Sequence, residues 1–432
     1  MFKNNYRWEM LSWLFIVVLV SYFDRVNFSV SAPLIMKELG IGAALMGIIM
    51  SGFNIGYTLL NFWGGFLAEK YSARKFMTII ILLWSLMTVF TGLGWSFVSL
   101  LLIRIVFGVC EGPMVLINTK LVNRWMLPKE RATASGLWLA AMPVGVVLGI
   151  LLSGFVVVSY GWRSVFYIFG VAGLVVALLN WMILRDQPED HASISKQELE
   201  LIKSSIVQHD GSAALNAPGS TLIVLLKNPL VWVICAVYFA ILMFMWGNLN
   251  WLPTYYMKAR GSSLLRSGIF SSIPWIGAAI GPLILGWLSD RSIFIKTRAG
   301  WVTLSLFAIV PTVVYAVITP DIYVSLVCFT IASFFAMAAM GQMFALAMEI
   351  FERANVAKVS GIMLAWGSLA GIIAPSLIGF VLQVTNSFDY AYYIFGTIAF
   401  IGGCLSFVLV RQEKDVRLNR AKEAIEAATA KA

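Results

Sequence analysis

The sequence predicts an all-α polytopic membrane protein, with twelve transmembrane helices in two pseudo-symmetric six-helix halves. Three observations lead to this prediction. First, 60% of the 432 residues are hydrophobic and only 12% are charged, whereas soluble domains carry about 25% charged residues. Second, the chain repeats apolar runs of the roughly 20 residues that cross a bilayer as a helix. Third, short motifs of the first half recur in the second half.

The apolar runs are separated by short polar segments. We predict spans at 11–35, 44–68, 76–94, 96–118, 134–158, 163–184, 228–252, 264–288, 300–318, 322–346, 357–381 and 389–410. Most Lys and Arg residues lie at the N-terminus, in the loops after even-numbered spans and in the tail, so the positive-inside rule places both termini in the cytoplasm. The net charge of +10 is therefore a signal of topology, and it does not indicate a nucleic-acid partner.

The two halves share three landmarks in the same order. The segment GFLAEK at 65–70 corresponds to GWLSDR at 286–291, which lies 221 residues later. The triplet ERA at 130–132 recurs at 352–354, and YIFG at 167–170 recurs at 393–396. A fixed order at nearly one spacing indicates a tandem duplication of one six-helix plan.

The repeat sets the predicted domain organisation. We predict an N-terminal bundle over 1–184, a cytoplasmic linker over 185–227, a C-terminal bundle over 228–410 and a cytoplasmic tail over 411–432. In the linker, Ser195 and Glu198 have the spacing of a capping box, which predicts a short amphipathic helix to about Val207. The stretch from Asp210 to Ser220 is predicted to be a flexible connection.

The residue types exclude several kinds of chemistry. His191 and His209 both fall in the linker, and the four Cys residues are scattered singly in or near the spans. Metal-binding spacing, a nucleophile with its base and a phosphate-binding loop are all missing from the spans. We therefore expect no enzymatic activity, no metal and no cofactor, with protons as the only coupling ion. A cleavable signal peptide is not expected either, because the first apolar run has the length of a full span.

An acid and a base stand side by side in the middle of the first span. Asp24 and Arg25 interrupt an apolar run from about residue 11 to residue 34, where each charge costs roughly 2.5–3.5 kcal/mol on insertion scales. Arg104 and Glu111 lie seven residues apart in the fourth span and so share one helix face. The four charges sum to zero, which a purely structural buried network would also explain. However, Asp24 and Arg25 point about 100° apart on a helix, so we favour a functional site.

Four segments resemble a known family. YFDRVN at 22–27, RIVFGVCEGP at 104–113, RWMLPKERATASG at 124–136 and WLPTY at 251–255, together with the repeated loops, are similar to the major facilitator superfamily. Within it, they resemble the anion:cation symporter branch, which includes sugar-acid, phthalate-type and tartrate importers and sialin-like carriers. One departure is Ser72, where the family usually has Gly. The resemblance implies the twelve-helix major facilitator fold and a location in the bacterial inner membrane, with monomer as the default state.

The resemblance also implies roles for the charged residues. Glu111 would be the main proton-coupling acid, and Asp24 would pair with Arg25 or Arg104 until it is protonated. Arg25 would bind a substrate carboxylate through its planar fork. The predicted substrate-binding residues are Tyr22, Arg25, Tyr57, Arg104, Trp246, Asn250, Trp275, Gln342 and Ser368. For the tyrosines, a packing role is an open alternative. Each polar side chain of the second half has the alternative role of a hydrogen-bonding contact between helices.

The repeated loops are predicted to form a gate, because their acid and bases can make contacts that break when the halves rock. The predicted gating residues are Gly65, Glu69, Arg74, Asp290 and Arg291. The alternative is that these loops only carry the positive charge typical of cytoplasmic loops. That alternative explains the Lys and Arg residues, but it does not explain the repeated glycine and acid.

The function predicted from these residues is secondary active import of a small organic carboxylate in symport with protons, by alternating access. The segment 138–143 and Ser368 lack the amides that sugar-acid members carry there, which weakly favours a less hydroxylated acid. Two alternatives stay open: a proton-driven exporter of hydrophobic drugs on the same fold, and a non-transporting membrane sensor.

Overall fold

The computed structural model describes residues 5–191, 194–213, 221–291 and 295–429. In this part of the chain every regular element is helical, in agreement with the predicted fold class. Besides one short 3-10 turn at Pro188–Asp190, the helices are α1 (Tyr6–Leu39), α2 (Ala43–Lys70), α3 (Ala73–Gly92), α4 (Phe97–Glu111), α5 (Met114–Trp125), α6 (Arg131–Tyr160), α7 (Trp162–Ile183), α8 (Lys196–Ala213), α9 (Leu222–Lys227), α10 (Pro229–Lys258), α11 (Leu264–Arg291), α12 (Arg298–Ile318), α13 (Ile322–Ile350), α14 (Arg353–Thr385) and α15 (Asp389–Thr429).

Twelve helical segments of the described chain are long and apolar enough to cross a membrane. They coincide with the twelve predicted spans, although most extend a few residues further at their ends. The fourth span differs, because α4 and α5 replace the single predicted helix. Pro113 stands at this break and has no N–H to donate to the preceding turn, and the N–H of Gly112 closes α4 onto the Gly108 carbonyl. The break leaves Glu111 at the end of α4.

Helix contacts divide the chain into two units. The first contains residues 1–215 and 250–272, and the second contains 216–249 and 273–432. In the first unit α1 packs on α6, α2 on α4 and α3 on α7, while in the second α12 packs on both α13 and α15. The domain boundaries predicted at 184, 228 and 410 stay predictions.

Two glycines bring the backbones of α2 and α4 into contact. A Cβ atom on Gly108 would lie 2.0 Å from the carbonyl oxygen of Phe53, and one on Gly56 would lie 1.9 Å from that of Ile105. Neither position therefore accepts any side chain without separating the helices. This close approach sets the distance between α2 and the helix that carries Arg104 and Glu111.

Replacing Gly108 with Ala is expected to lower the thermal unfolding midpoint of the detergent-solubilised protein, because the methyl group would meet backbone atoms that cannot move away. Overpacking of this kind costs about 1–3 kcal/mol. Gly136→Ala on α6 is the matched control, because a Cβ atom there meets nothing within 4 Å. Equal midpoints for the two variants would contradict the proposed contact.

The linker helix α8 is bound to the start of α1. As predicted, Ser195 caps it by accepting the N–H of Glu198 at 3.1 Å. The Glu198 carboxylate does not turn back to complete the capping box; it accepts the N–H groups of Tyr6 and Arg7 and forms a 3.2 Å ion pair with the Arg7 guanidinium. The helix runs to Ala213, beyond the predicted end at Val207. Residues 214–220 of the predicted flexible connection lie outside the described residues.

The part of α15 that follows the twelfth predicted span contacts the start of α12. The Glu413 carboxylate accepts the N–H groups of Arg298 and Ala299, each at 2.8 Å, and pairs with Arg417 at 2.7 Å. Arg417 also pairs with Glu349 at 2.8 Å. The sequence predicted only a tail over 411–432, and these contacts give the first turns of that segment a structural role.

Replacing Glu413 with Ala is expected to destabilise the second unit, because two N–H groups at the α12 N-terminus lose their acceptor. The loss of such a cap costs about 1–2 kcal/mol, which thermal unfolding in detergent would detect as a lower midpoint. Asp415→Ala is the control, since Asp415 is exposed on the same helix. A midpoint for Glu413→Ala as high as that of the control would rule out the capping role.

Candidate functional site

The four predicted charges are buried in the first unit. Asp24 and Arg25 come from α1, and Arg104 and Glu111 come from α4, with exposures of 1%, 7%, 3% and 0%. Long apolar runs make these helices, so the charges are held among apolar neighbours by helices that are themselves fixed by packing. Charged groups with so little contact with water require partners.

Arg25 and Glu111 form the central ion pair. The Nε atom of Arg25 lies 3.0 Å from Oε1 of Glu111, and its Nη1 donates to the Tyr22 hydroxyl at 3.3 Å. The guanidinium also faces three aromatic rings, with centroids at 4.5 Å for Tyr22, 4.9 Å for Phe53 and 5.2 Å for Tyr57. The second oxygen of Glu111, Oε2, has no hydrogen-bond partner of good geometry among the described residues; the Ser21 hydroxyl lies near the carboxylate but donates to the Val18 carbonyl. The structure thus brings together Tyr22, Arg25, Tyr57 and Glu111. Their roles in substrate binding and proton coupling stay predictions.

Asp24 stands apart from this pair. Neither of its carboxylate oxygens has a hydrogen-bond partner of good geometry in the described chain, although the Thr88 hydroxyl lies close to it and the charges of Glu111 and Arg104 act on it. The expectation that Asp24 pairs with Arg25 or Arg104 is therefore wrong for this structure. The reason is geometric, because neighbouring helical residues point about 100° apart. The Arg25 side chain reaches Glu111 on α4, whereas the Asp24 side chain leaves α1 in a different direction.

Arg104 is surrounded by aromatic rings. Its guanidinium lies 4.7 Å from the ring centroid of Phe28, 5.1 Å from that of Phe107 and 5.4 Å from that of Phe53. Its Nε atom has no hydrogen-bond partner, and it forms no ion pair within the described residues. Cation–π contacts stabilise such a group only partly, so Arg104 is a cation available to an anion.

Sequence reasoning missed three buried residues of the first unit. The Phe53 ring faces both Arg25 and Arg104, but nothing in a single apolar sequence distinguishes it from other core phenylalanines. Asn27 and Asn118 are fully buried, and neither amide has a partner among the described residues. Spacing gave a signal for Asn27 alone, because it follows Asp24 by three residues in α1 and so lies near the same helix face. Asn118 lies in α5, beyond the break that follows Glu111, so its spacing from that acid gave no signal.

The predicted binding residues of the second half are less clearly assigned. The Gln342 amide donates to Ser289 at 3.1 Å and accepts from Arg298 at 3.3 Å, which supports the alternative role of a contact between helices. Ser368 donates to the Leu364 carbonyl one turn away. Trp275 is 3% exposed and Asn250 is 8% exposed. Substrate contacts by these residues and by Trp246 stay predictions.

Among the predicted gating residues, those whose side chains are described make contacts within their own unit. Arg74 donates to the Trp181 carbonyl at 2.8 Å, Asp290 pairs with Arg298 at 3.0 Å, and Arg291 lies over the Trp287 ring. Gly65 and Glu69 lie in α2, and the structure describes their backbone alone. A gating role for these residues stays a prediction.

Ser72, the departure from the family pattern, has a structural role. It caps α3 by accepting the N–H of Lys75 at 3.2 Å, and it donates to the Asp186 carboxylate.

No group of three His, Cys, Asp or Glu residues in the described parts of the chain could hold a metal ion. The residues that define the site are therefore two acids, two arginines and their aromatic neighbours. A buried, balanced set of charges in a chain with twelve possible spans is typical of integral multi-pass transport proteins.

Comparison with known proteins confirms the predicted family. The family model of the Major Facilitator Superfamily matches residues 14–346 and 297–431, and the chain belongs to that superfamily. A hexuronate transporter of Bacillus subtilis (strain 168) is 29% identical over 400 residues, which are 90% of this chain and 91% of the relative. A probable galactarate/D-glucarate transporter, GarP, of Escherichia coli (strain K12) is 30% identical over 93% of this chain and 94% of its own.

A further relative, the probable sulfoacetate transporter SauU of Cupriavidus necator, is 27% identical over 93% of this chain and 94% of its own. Among solved structures, a bacterial homologue of the human lysosomal transporter Spinster has a TM-score of 0.78 at 20% identity, covering 95% of this chain and 98% of that one. This likeness shows the fold alone. The family and these relatives are transporters, which agrees with the expectation that the protein is not an enzyme.

Proposed function

We propose that the protein imports a small organic carboxylate together with protons, with Arg25 as the substrate-binding cation and Glu111 as the acid that controls it. One observation carries the proposal: the only acid paired with Arg25 in the described chain is Glu111, whose second oxygen has no partner. A proton arriving at that oxygen would neutralise Glu111 and weaken its bond to Arg25. The released guanidinium would then bind the substrate carboxylate through two parallel hydrogen bonds.

Charge balance supports coupling to protons. The buried cluster contains two acids and two arginines and is neutral overall when all four are ionised. A monoanion entering alone would leave one uncompensated negative charge in an apolar setting, which is costly. A monoanion entering with one proton keeps the cluster neutral. Binding of substrate and proton together is therefore expected to be more favourable than binding of either one alone.

Asp24 and Arg104 are proposed as the second acid and second cation of the same site. Both are buried and neither forms an ion pair in the described chain, so Asp24 is available to a proton and Arg104 to an anionic group. A monoanion with one proton would not respond to the membrane potential, whereas a second proton would make the potential a driving force of about 2.3 kcal/mol per 100 mV.

For the substrate class, we propose small carboxylates and place sugar acids first in the screen. The sequence alone weakly favoured a less hydroxylated acid, because amides are missing at 138–143 and at Ser368. Asn27 and Asn118, however, are buried amides without partners in the described chain, and we propose that they supply hydrogen bonds to substrate hydroxyls, the kind of contact that discriminates between hydroxylated and non-hydroxylated substrates. The relatives named for hexuronate and galactarate/D-glucarate support the same choice.

We also propose that both termini lie in the cytoplasm, because of the distribution of Lys and Arg along the chain.

The substrate would be identified with the purified protein in proteoliposomes. An inward proton gradient is imposed, and labelled sugar acids are compared with aromatic and short aliphatic carboxylates. Accumulation of one class above the external concentration is expected. If no acid accumulates under any gradient, the import proposal fails and the drug-exporter alternative is tested next.

Uptake of the accumulated acid is expected to rise as external pH falls and to collapse when a protonophore is added, because protons are co-substrates. Initial rates between pH 5.5 and 8, at constant internal pH, measure the effect. Replacing sodium by potassium at fixed pH is the control and should change nothing. Sodium-dependent uptake that ignores pH would contradict the proposed coupling.

A further inference from the structure

A basic cavity lies away from the charged cluster, at the end of the first unit that carries the N-terminus. It is an open cavity with a volume of about 460 Å³, lined by the end of α5, the start of α6, the segment after α7 and the linker helix α8. Arg124, Arg131 and Lys203 line it, and Ile202, which is 1% exposed, is also part of its wall. None of these residues has a part in the proposed transport site.

The charges of the cavity are unbalanced. Glu189 is the only acid in its lining, and it pairs with Lys203 at 3.1 Å. The nearby acids bind elsewhere: Asp186 accepts from Ser72 and the Arg74 N–H, and Glu130 pairs with Arg7 at 3.1 Å. Three cations against one acid leave a formal charge of about +2 at the cavity, so it would attract anions.

The two arginines have hydrogen-bond donors to spare, and Arg131 is also held in place. Arg131 donates one Nη2 hydrogen bond to the Asn123 carbonyl at 2.9 Å, and its buried Nε has no hydrogen-bond partner in the described chain. Among the described residues, the hydrogen-bond contact of Arg124 is a long one, 3.5 Å to the Asp186 carbonyl. A buried N–H without a partner is costly, and a guanidinium fork held in this way matches the oxygens of a phosphate group.

We propose that this cavity is a binding site for an organic phosphate, with Arg124 and Arg131 on the phosphate oxygens and Lys203 at the entrance. The size favours a phosphate that carries a larger group, because the cavity is many times the roughly 30 Å³ share of one water molecule and falls within the range of small-molecule sites. The same chemistry is offered by the headgroup of an anionic phospholipid and by a soluble phosphate ester. Basic pockets at the ends of transmembrane helices bind such headgroups.

Occupancy would have a structural consequence. The ligand would connect α5 and α6 with α8, which is otherwise bound through Glu198 to the start of α1. Binding is therefore expected to raise the thermal midpoint of the protein, since a ligand that prefers the folded state stabilises it.

The test uses the delipidated full chain in a neutral detergent. Binding of phosphatidylglycerol and of glycerol 3-phosphate is measured by native mass spectrometry and by the shift in thermal midpoint, with phosphatidylcholine as the neutral lipid. Arg131→Gln and Arg124→Gln are expected to weaken binding about tenfold, as the loss of a charge-assisted contact does. Lys129→Gln is the control, because Lys129 is an exposed cation in the neighbouring loop that does not line the cavity.

The outcomes separate the two sources. Binding of phosphatidylglycerol alone identifies a lipid site, and comparable binding of glycerol 3-phosphate identifies a soluble phosphate ester. If Arg131→Gln fails to fold, Lys203→Gln still tests the site, because Lys203 is half exposed. The proposal is overturned if neither phosphate binds, or if Arg124→Gln and Lys203→Gln bind as well as Lys129→Gln does.

Discussion

Replacing Glu111 with glutamine is expected to abolish accumulation of the substrate while leaving exchange of internal for external substrate intact. Glutamine cannot release a proton, but it preserves the size of the side chain and resembles the protonated acid. Arg25 would then be free of its 3.0 Å ion pair and available to the substrate at any pH. A gradient of one pH unit is worth about 1.4 kcal/mol and so supports about tenfold accumulation with one proton. In the variant, the ratio of internal to external substrate should fall to about one.

The measurement is paired uptake and counterflow in proteoliposomes. Glu38→Gln serves as the control. Like Glu111, Glu38 is an ion-paired glutamate, but it lies near the end of α1 and binds Arg163 and Trp162, away from the buried cluster. The control should accumulate substrate as the wild type does. Accumulation by Glu111→Gln at the wild-type ratio would mean that Glu111 carries no coupled proton, and Asp24 would then be the acid to examine.

Replacing Arg25 with lysine is expected to weaken substrate binding by roughly 10- to 100-fold, although the charge is kept. Lysine presents a point charge in place of a planar fork, so it cannot form two parallel bonds to a carboxylate. Each charge-assisted hydrogen bond is worth about 1.5–3 kcal/mol, which corresponds to this range. Stacking of the planar guanidinium against Tyr22, Phe53 and Tyr57 would also be lost.

The affinity would be measured by substrate protection against thermal unfolding and by the KM of uptake. Arg163→Lys is the matched control, because Arg163 is an ion-paired arginine that lies outside the cluster and is partly exposed. Lysine is preferred to alanine at position 25, since alanine would leave Glu111 buried without its cation, at a cost of about 3–5 kcal/mol. Unchanged affinity in Arg25→Lys would exclude Arg25 as the substrate-binding cation.

The fold and the charged residues were predictable from the sequence because the apolar interior of a bilayer restricts both the backbone structure and the placement of charge. Apolar runs of span length admit few alternatives to a helix in lipid, and an Asp24–Arg25 pair inside such a run is conspicuous because it is costly. The loop segments that recur at 65–70 and 286–291 likewise identify the two halves without any tertiary contact being needed.

The partners of the charged residues were not predictable. Whether Arg25 pairs with Asp24 or Glu111 depends on the close contact of α2 with α4 at Gly108 and on the helix break at Gly112, which sets where Glu111 lies. Gln342 could not be distinguished from a substrate contact, because its partners Ser289 and Arg298 lie 53 and 44 residues away in sequence. Tertiary contacts of this kind leave no local pattern.

The most direct test of proton coupling through Glu111 follows protons rather than substrate. Wild-type proteoliposomes in weakly buffered medium, with the same pH and no voltage on both sides, are mixed with the transported acid, and external pH is recorded. We expect the medium to become more alkaline as substrate and protons enter together, and we expect Glu111→Gln to produce no such change. Entry of the acid into wild-type vesicles without any change in external pH would contradict proton coupling through Glu111.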